Sequence, residues 1–159
     1  MSPPGRPKGE YRRAQPYRSK TLATWLAIVA GVLGLHRFYL RGLRDIAGWL
    51  YPLPTLLGLI GMQRVGDFGQ DDRLAWLLIP LLGLSISAAM FSAIVYGLTP
   101  DEQWDERHNA GQRGPATGWG PVLGVVLALL LGAGVLMGTV AYGGQRFFEW
   151  RLEAERAAP

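Results

Sequence analysis

Two stretches of the chain contain no acid, base or histidine: residues 74–98, a run of 25, and residues 121–144, a run of 24. A predominantly apolar run of about 18 or more is long enough to cross the hydrocarbon core of a bilayer as a helix. Two shorter apolar runs come first, at residues 22–35 and 46–62, and polar segments separate all four. The pattern predicts an all-α integral membrane protein. It would have four transmembrane helices, a disordered basic N-terminal arm and short interfacial helices. The expected order is an arm (1–17), a membrane hairpin (18–62), a polar loop (63–73), a third span (74–98), a loop with a short helix (99–120), a fourth span (121–144) and an amphipathic tail (145–159).

Local signals refine this plan. Residues 1–20 hold six cations against the single acid Glu10, too polar to order themselves by burial. Pro52 and Pro54 should kink the second span, because each removes a backbone donor. Thr99-Pro100-Asp101-Glu102 has the form of a capping box, and it predicts a short helix over 100–109. After Gly143 and Gly144 the helix should break, leaving a tail of mixed aromatic and charged residues to lie in the interface.

Composition narrows the class. Of 159 residues, 49% are hydrophobic and only 18% charged, against about 25% charged in an ordinary soluble domain. That excludes an ordinary soluble enzyme, and the absence of cysteine excludes thiolate metal sites and thiol chemistry. With four crossings, the arm, the 63–73 loop and the tail carry 11 Lys and Arg, and the opposite side carries 5. Cationic loops stay in the cytoplasm. Both termini are therefore expected there, in a bacterial inner membrane. Trp76 with Tyr96, and Trp119 with Tyr142, sit at span ends as interface anchors.

Small residues recur at every fourth position of the last two spans: Ser85, Ala89, Ala93 and Gly97 in one, Gly120, Gly124, Ala128 and Gly132 in the other. Such stripes let two helix backbones approach closely, so these are the helix-packing candidates. Spans two to four hold no ionisable group, which argues against an ion-coupled transporter, and no hydrolase, P-loop or dinucleotide motif is present. Asp101, Asp105 and His108 share one helix face, but a solvated acidic helix accounts for them without a metal. No cofactor is expected. The basic arm is read as a contact with anionic lipid, not nucleic acid.

The most specific string is Arg18-Ser19-Lys20, then Gly31, Gly34 and His36-Arg37-Phe38-Tyr39-Leu40-Arg41-Gly42. It resembles the transmembrane-two family, also called the NINE-protein family, of bacterial membrane proteins. In that family two short membrane helices are joined by an Asp- or His-Arg-Phe-Tyr-Leu-Gly turn. The resemblance covers residues 18–62. Arg41 interrupts the final Leu-Gly, and the expected Trp-x-x-x-Asp ending is missing. The resemblance implies a membrane hairpin without catalytic residues. In some members the turn lies in the cytoplasm, opposite to the four-span orientation. His36, Arg37, Phe38 and Tyr39 are the candidates for contact with lipid headgroups. Arg37 could grip a phosphate or pair with Asp45. The expected role is non-enzymatic, through helix packing, membrane lipids with anionic headgroups, a homo-oligomer or a membrane-protein partner. The alternative is a small transporter or channel component.

Overall fold

Ser19, in extended conformation, caps the first helix, α1 (Lys20–Ala30), its hydroxyl accepting from the Leu22 N–H. The computed structural model describes residues 16–110 and 112–157, and among these every regular element is helical. A 3-10 turn over Gly31–Leu33 ends at Gly34, and α2 (Leu35–Arg41) runs back toward the start of α1. The reversal depends on Gly34. Its φ of +74° lies in the left-handed region, and a Cβ there would also collide with the Gly48 carbonyl. The Ser19 N–H donates to the Tyr39 hydroxyl at 2.8 Å, so the two open ends of the hairpin are tied together.

Short α3 (Ile46–Leu50) and α4 (Pro52–Phe68) follow almost in line, because Tyr51 between them keeps helical angles. A tight loop leads to α5 (Arg73–Leu98), capped by the Asp72 carboxylate. Then come α6 (Asp101–His108) and the long α7 (Gly120–Ala157). α5 is the central element. Gly58 and Gly61 of α4 press against Leu82 and Leu78, and α7 packs antiparallel on the other side. Where α1, α5 and α7 meet, Ala27, Ala89, Met90, Ala93 and Ala128 form a buried cluster. Small side chains there allow the close backbone approach that holds helices together in lipid.

Two helices, α5 and α7, are long and apolar enough to cross a bilayer, not four. Only 22% of the apolar window of α5 and 17% of that of α7 is buried within the protein. A soluble core helix would be mostly buried, so their apolar faces call for lipid. The expected first span fails because Gly34 folds it back after ~16 Å of α1. Its tip, Gly31, reaches only to Ala89 of α5. The second is divided at Tyr51 into two nearly in-line helices of 5 and 17 residues, neither of which alone is long enough to cross. Pro52 and Pro54 do not kink a helix but begin one, where their missing N–H groups cost nothing.

Three smaller expectations also change. Thr99 does not cap α6: it ends α5, its hydroxyl donating to the Val95 carbonyl at 2.6 Å. α7 passes through Gly143 and Gly144 unbroken into the tail, where Arg146 lies over the Trp76 ring at 5.0 Å. The shared side expected for both termini rests on a crossing over residues 21–35, where the structure has only a shorter apolar helix, Lys20–Leu33. Lys20 sits at the Thr99 end of α5 and Arg146 at the Trp76 end, ~35 Å apart along the helix axis.

Candidate functional site

The hairpin places the six residues His36–Arg41 on α2, and each side chain has a distinct task. His36 is buried to 1% exposure between the rings of Tyr51, at 5.2 Å, and Tyr96, at 5.8 Å. Its Nδ1 has no hydrogen-bond partner among the described residues. Arg37 Nε donates to Asp45 at 2.8 Å across the turn, the ion pair rather than the free phosphate grip. That guanidinium, chiefly through its hydrogen bond, holds the Asp45 carboxyl below its usual range. Phe38 covers Gly48 and packs on Trp49 at 5.1 Å, Tyr39 ties down Ser19, and Leu40 packs with Ala23 and Trp104. Of the four residues expected at headgroups, then, three serve the hairpin and His36 serves its core.

One turn after Arg37, Arg41 points to the same side of α2. These two, with Leu40, form one wall of a cavity of about 190 Å³. The end of α5 supplies Val95, Tyr96 and Thr99, and α6 supplies Trp104, Arg107 and His108. Trp104 is the pivot. It is 2% exposed, donates its indole N–H to the Arg18 carbonyl at 2.7 Å, and packs against the tilted His108 ring at 4.4 Å and edge-on to Tyr96 at 5.8 Å.

A second set of contacts clamps α6 over the hairpin. Lys20, buried rather than reaching for headgroups, donates to the Thr99 carbonyl at 3.0 Å and to Asp101 at 2.5 Å. Asp101 also accepts from the Thr117 N–H at 3.0 Å. The Lys20 hydrogen bond, then those of Thr117, hold its carboxyl down to about 2. Asp105 accepts from Tyr17 at 3.0 Å, Asn109 at 2.8 Å and the Gly114 N–H at 2.9 Å. Both carboxylates are thus engaged away from His108, and the three side chains on one face of α6 do not converge.

The pocket is electropositive. Among the described residues, neither Arg41 nor Arg107 has a carboxylate within ion-pair distance, whereas Arg37 does. Burial first, then the charges of Arg18, Arg107 and Arg41, push the His108 imidazole below its usual range. A neutral imidazole can still donate one N–H. Unpaired guanidinium groups with such a donor suit an oxyanion, above all a phosphate, whose oxygens accept paired N–H bonds.

The packing candidates divide between two partners. Ser85, Ala89 and Ala93 are buried on α5, and Ala128 joins them from α7. Gly97 faces Val125 and the Pro121 carbonyl, and Gly132 faces Met90. Gly120 and Gly124, however, face Thr21 and Thr24 of α1. Of the aromatic anchors, Tyr96 turns inward to the pocket and Trp119 is 77% exposed.

The hairpin and α4 up to Val65 coincide with a known family. Residues 16–65 match the family model described as the TM2 domain. This segment is similar to the TM2 domain. No curated protein and no solved structure matches the chain. The TM2 domain, together with two helices long and apolar enough to cross a bilayer, marks a membrane protein. Only a third of the lining of the basic pocket falls within the TM2 match. Arg37, Leu40 and Arg41 belong to the domain, and the other six lining residues lie after it. Sequence reasoning named Arg37, placed Tyr96 only as an interface anchor, and missed Trp104 and Arg107. The available signal was the i, i+3, i+4 grouping of Trp104, Arg107 and His108 on one face of a short helix.

Proposed function

We propose that this chain is a non-enzymatic, multi-pass protein of a cytoplasmic membrane whose Arg41–Arg107–His108 pocket binds a phosphate-bearing anion at the bilayer surface. The observation that carries this reading is the pair of guanidinium groups, from two separate elements around one concave cavity, without carboxylate partners among the described residues. The proposed crossings are α3 with α4, then α5, then α7, with α1 and α2 re-entering from one side. The crossing count is odd, so the arm and the tail face opposite compartments. On the side of the arm lie Arg18, Lys20, Arg37, Arg41, Arg44, Arg107 and Arg113, and sequence connectivity adds Arg6, Lys8, Arg12 and Arg13. The other side has Arg64, Arg73, Arg146, Arg151 and Arg156. Eleven cations against five favour the arm and the pocket in the cytoplasm. The alanine-rich centre of the bundle supports a packed scaffold over a conduit.

Binding tests the reading. Inorganic phosphate should raise the melting temperature of the detergent-purified chain, because a ligand that binds only the folded state stabilises it by mass action. Arg41→Gln with Arg107→Gln should abolish that rise, and sodium chloride at equal ionic strength should not produce it. A rise that survives the double substitution would refute the pocket as the site.

A further inference from the structure

A second cavity, of about 470 Å³, lies below the basic pocket. One wall is Ala47, Leu50, Tyr51 and Pro54; the other is Leu81, Leu84, Ser85 and Ala88 of α5. It is almost wholly apolar, and it opens on the same face of α5 as the pocket. With 3.6 residues per turn, Leu84 and Ala88 of the groove and Val95 and Thr99 of the pocket fall within about 60° around the helix axis. Ala88 and Val95 are seven residues apart, or ~10 Å along the axis. Between them, the Tyr51 and Ser92 hydroxyls stand 3.5 Å apart. Along one helix face the order is therefore cationic pocket, hydroxyl pair, apolar groove.

That order matches the phosphate, ester linkage and alkyl chain of a phospholipid. We infer that pocket and groove form one site for an anionic phospholipid, with its phosphate at Arg41, Arg107 and His108, an ester carbonyl beside Tyr51 and Ser92, and one acyl chain between α3–α4 and α5. The inference rests on the phosphate reading of the pocket and adds the source of that phosphate. An acyl chain arriving from the bilayer leaves hydrocarbon, not water. The groove therefore contributes fit through van der Waals contact, and the head carries the selectivity. A soluble phosphate would use the pocket and leave the groove empty.

The test separates the two claims. Ala88 is exposed on the groove wall, so Ala88→Trp fills the groove without disturbing the core. The full chain, purified in mild detergent with added phosphatidylglycerol, is analysed for bound lipid by native mass spectrometry, and phosphate binding is read from the melting temperature. Ala88→Trp should lower retained phosphatidylglycerol about tenfold, equivalent to about 1.4 kcal/mol, while keeping the melting rise with inorganic phosphate. Leu84→Trp, on the same wall, should behave alike. If both variants retain lipid as the unaltered chain does, while Arg41→Gln with Arg107→Gln loses it, the phosphate pocket stands and the acyl groove is overturned. Protection by inorganic phosphate or glycerol phosphate with no lipid retained would also overturn the inference, in favour of a soluble anion. If the double arginine variant still responds to phosphate, the underlying reading of the pocket fails instead.

Discussion

Replacing Gly34 with alanine should unfold the hairpin far more readily than any comparable change nearby. The left-handed φ of +74° costs an L-residue about 1–2 kcal/mol. The new Cβ would also strike the Gly48 carbonyl and approach the Tyr51 Cβ at 3.1 Å, both on the element packed against the turn. Backbone cannot rotate away as a long side chain can, so an overpacking cost of about 1–3 kcal/mol is added. The sum is about 2–5 kcal/mol. Gly42 and Gly66 separate the two contributions. Gly42 has φ of +80° but open space, so Gly42→Ala should cost only the conformational part, about 1–2 kcal/mol. Gly66 is helical with open space, and alanine there should stabilise by about 0.5–1 kcal/mol. The assay is reversible unfolding in mixed micelles, followed by tryptophan fluorescence. Equal loss at Gly34 and Gly42 would refute the close approach to Gly48. No loss at either would refute the folded-back hairpin.

Two further outcomes follow from the packing and the clamp. Gly58→Val should destabilise by about 1–3 kcal/mol, because its side chain would enter the backbone of α5 at Leu82; Gly138→Val, with nothing nearby, should be neutral in the same unfolding assay. The Asp101 carboxyl is held to about 2 in the folded chain, whereas an unfolded aspartate titrates near 3.9. The folded state therefore holds that proton less tightly than the unfolded one. The contribution is fully present above about pH 4 and is lost as pH falls toward 2. The difference in melting temperature between the unaltered chain and Asp101→Asn should close over that window, and a difference unchanged at pH 2.5 would count against the Lys20–Asp101 clamp.

The long apolar runs were legible because length and absence of charge suffice to identify them: residues 74–98 lie in α5 and 121–144 in α7. The TM2 segment was legible through the His36–Leu40 string. The fold-back was not. An apolar run of 14 residues looks the same whether it crosses a membrane or turns within it. What decides is Gly34, whose left-handed turn packs closely against Gly48, 14 positions on. The continuity of α7 through Gly143 and Gly144 was hidden for the opposite reason. Glycine costs a helix only about 1 kcal/mol, which the rest of a 38-residue helix carries. The pocket was half legible. Arg37 stood out within its motif, but Arg41 and Arg107 are 66 positions apart, and α6 is brought onto the hairpin by long-range contacts of Lys20, Tyr17, Trp104 and Asn109.

The chain has no cysteine, so single cysteines can report which side of a membrane each segment faces. Pro16→Cys, Leu43→Cys and Arg151→Cys, each exposed, mark the start of the hairpin, its turn and the tail. In sealed vesicles of known orientation, a membrane-impermeant maleimide should label Pro16→Cys and Leu43→Cys from the same side, and Arg151→Cys from the other. Labelling of Pro16→Cys together with Arg151→Cys, and opposite to Leu43→Cys, would mean that residues 21–35 cross the bilayer, and the re-entrant hairpin on which the pocket is built would be wrong.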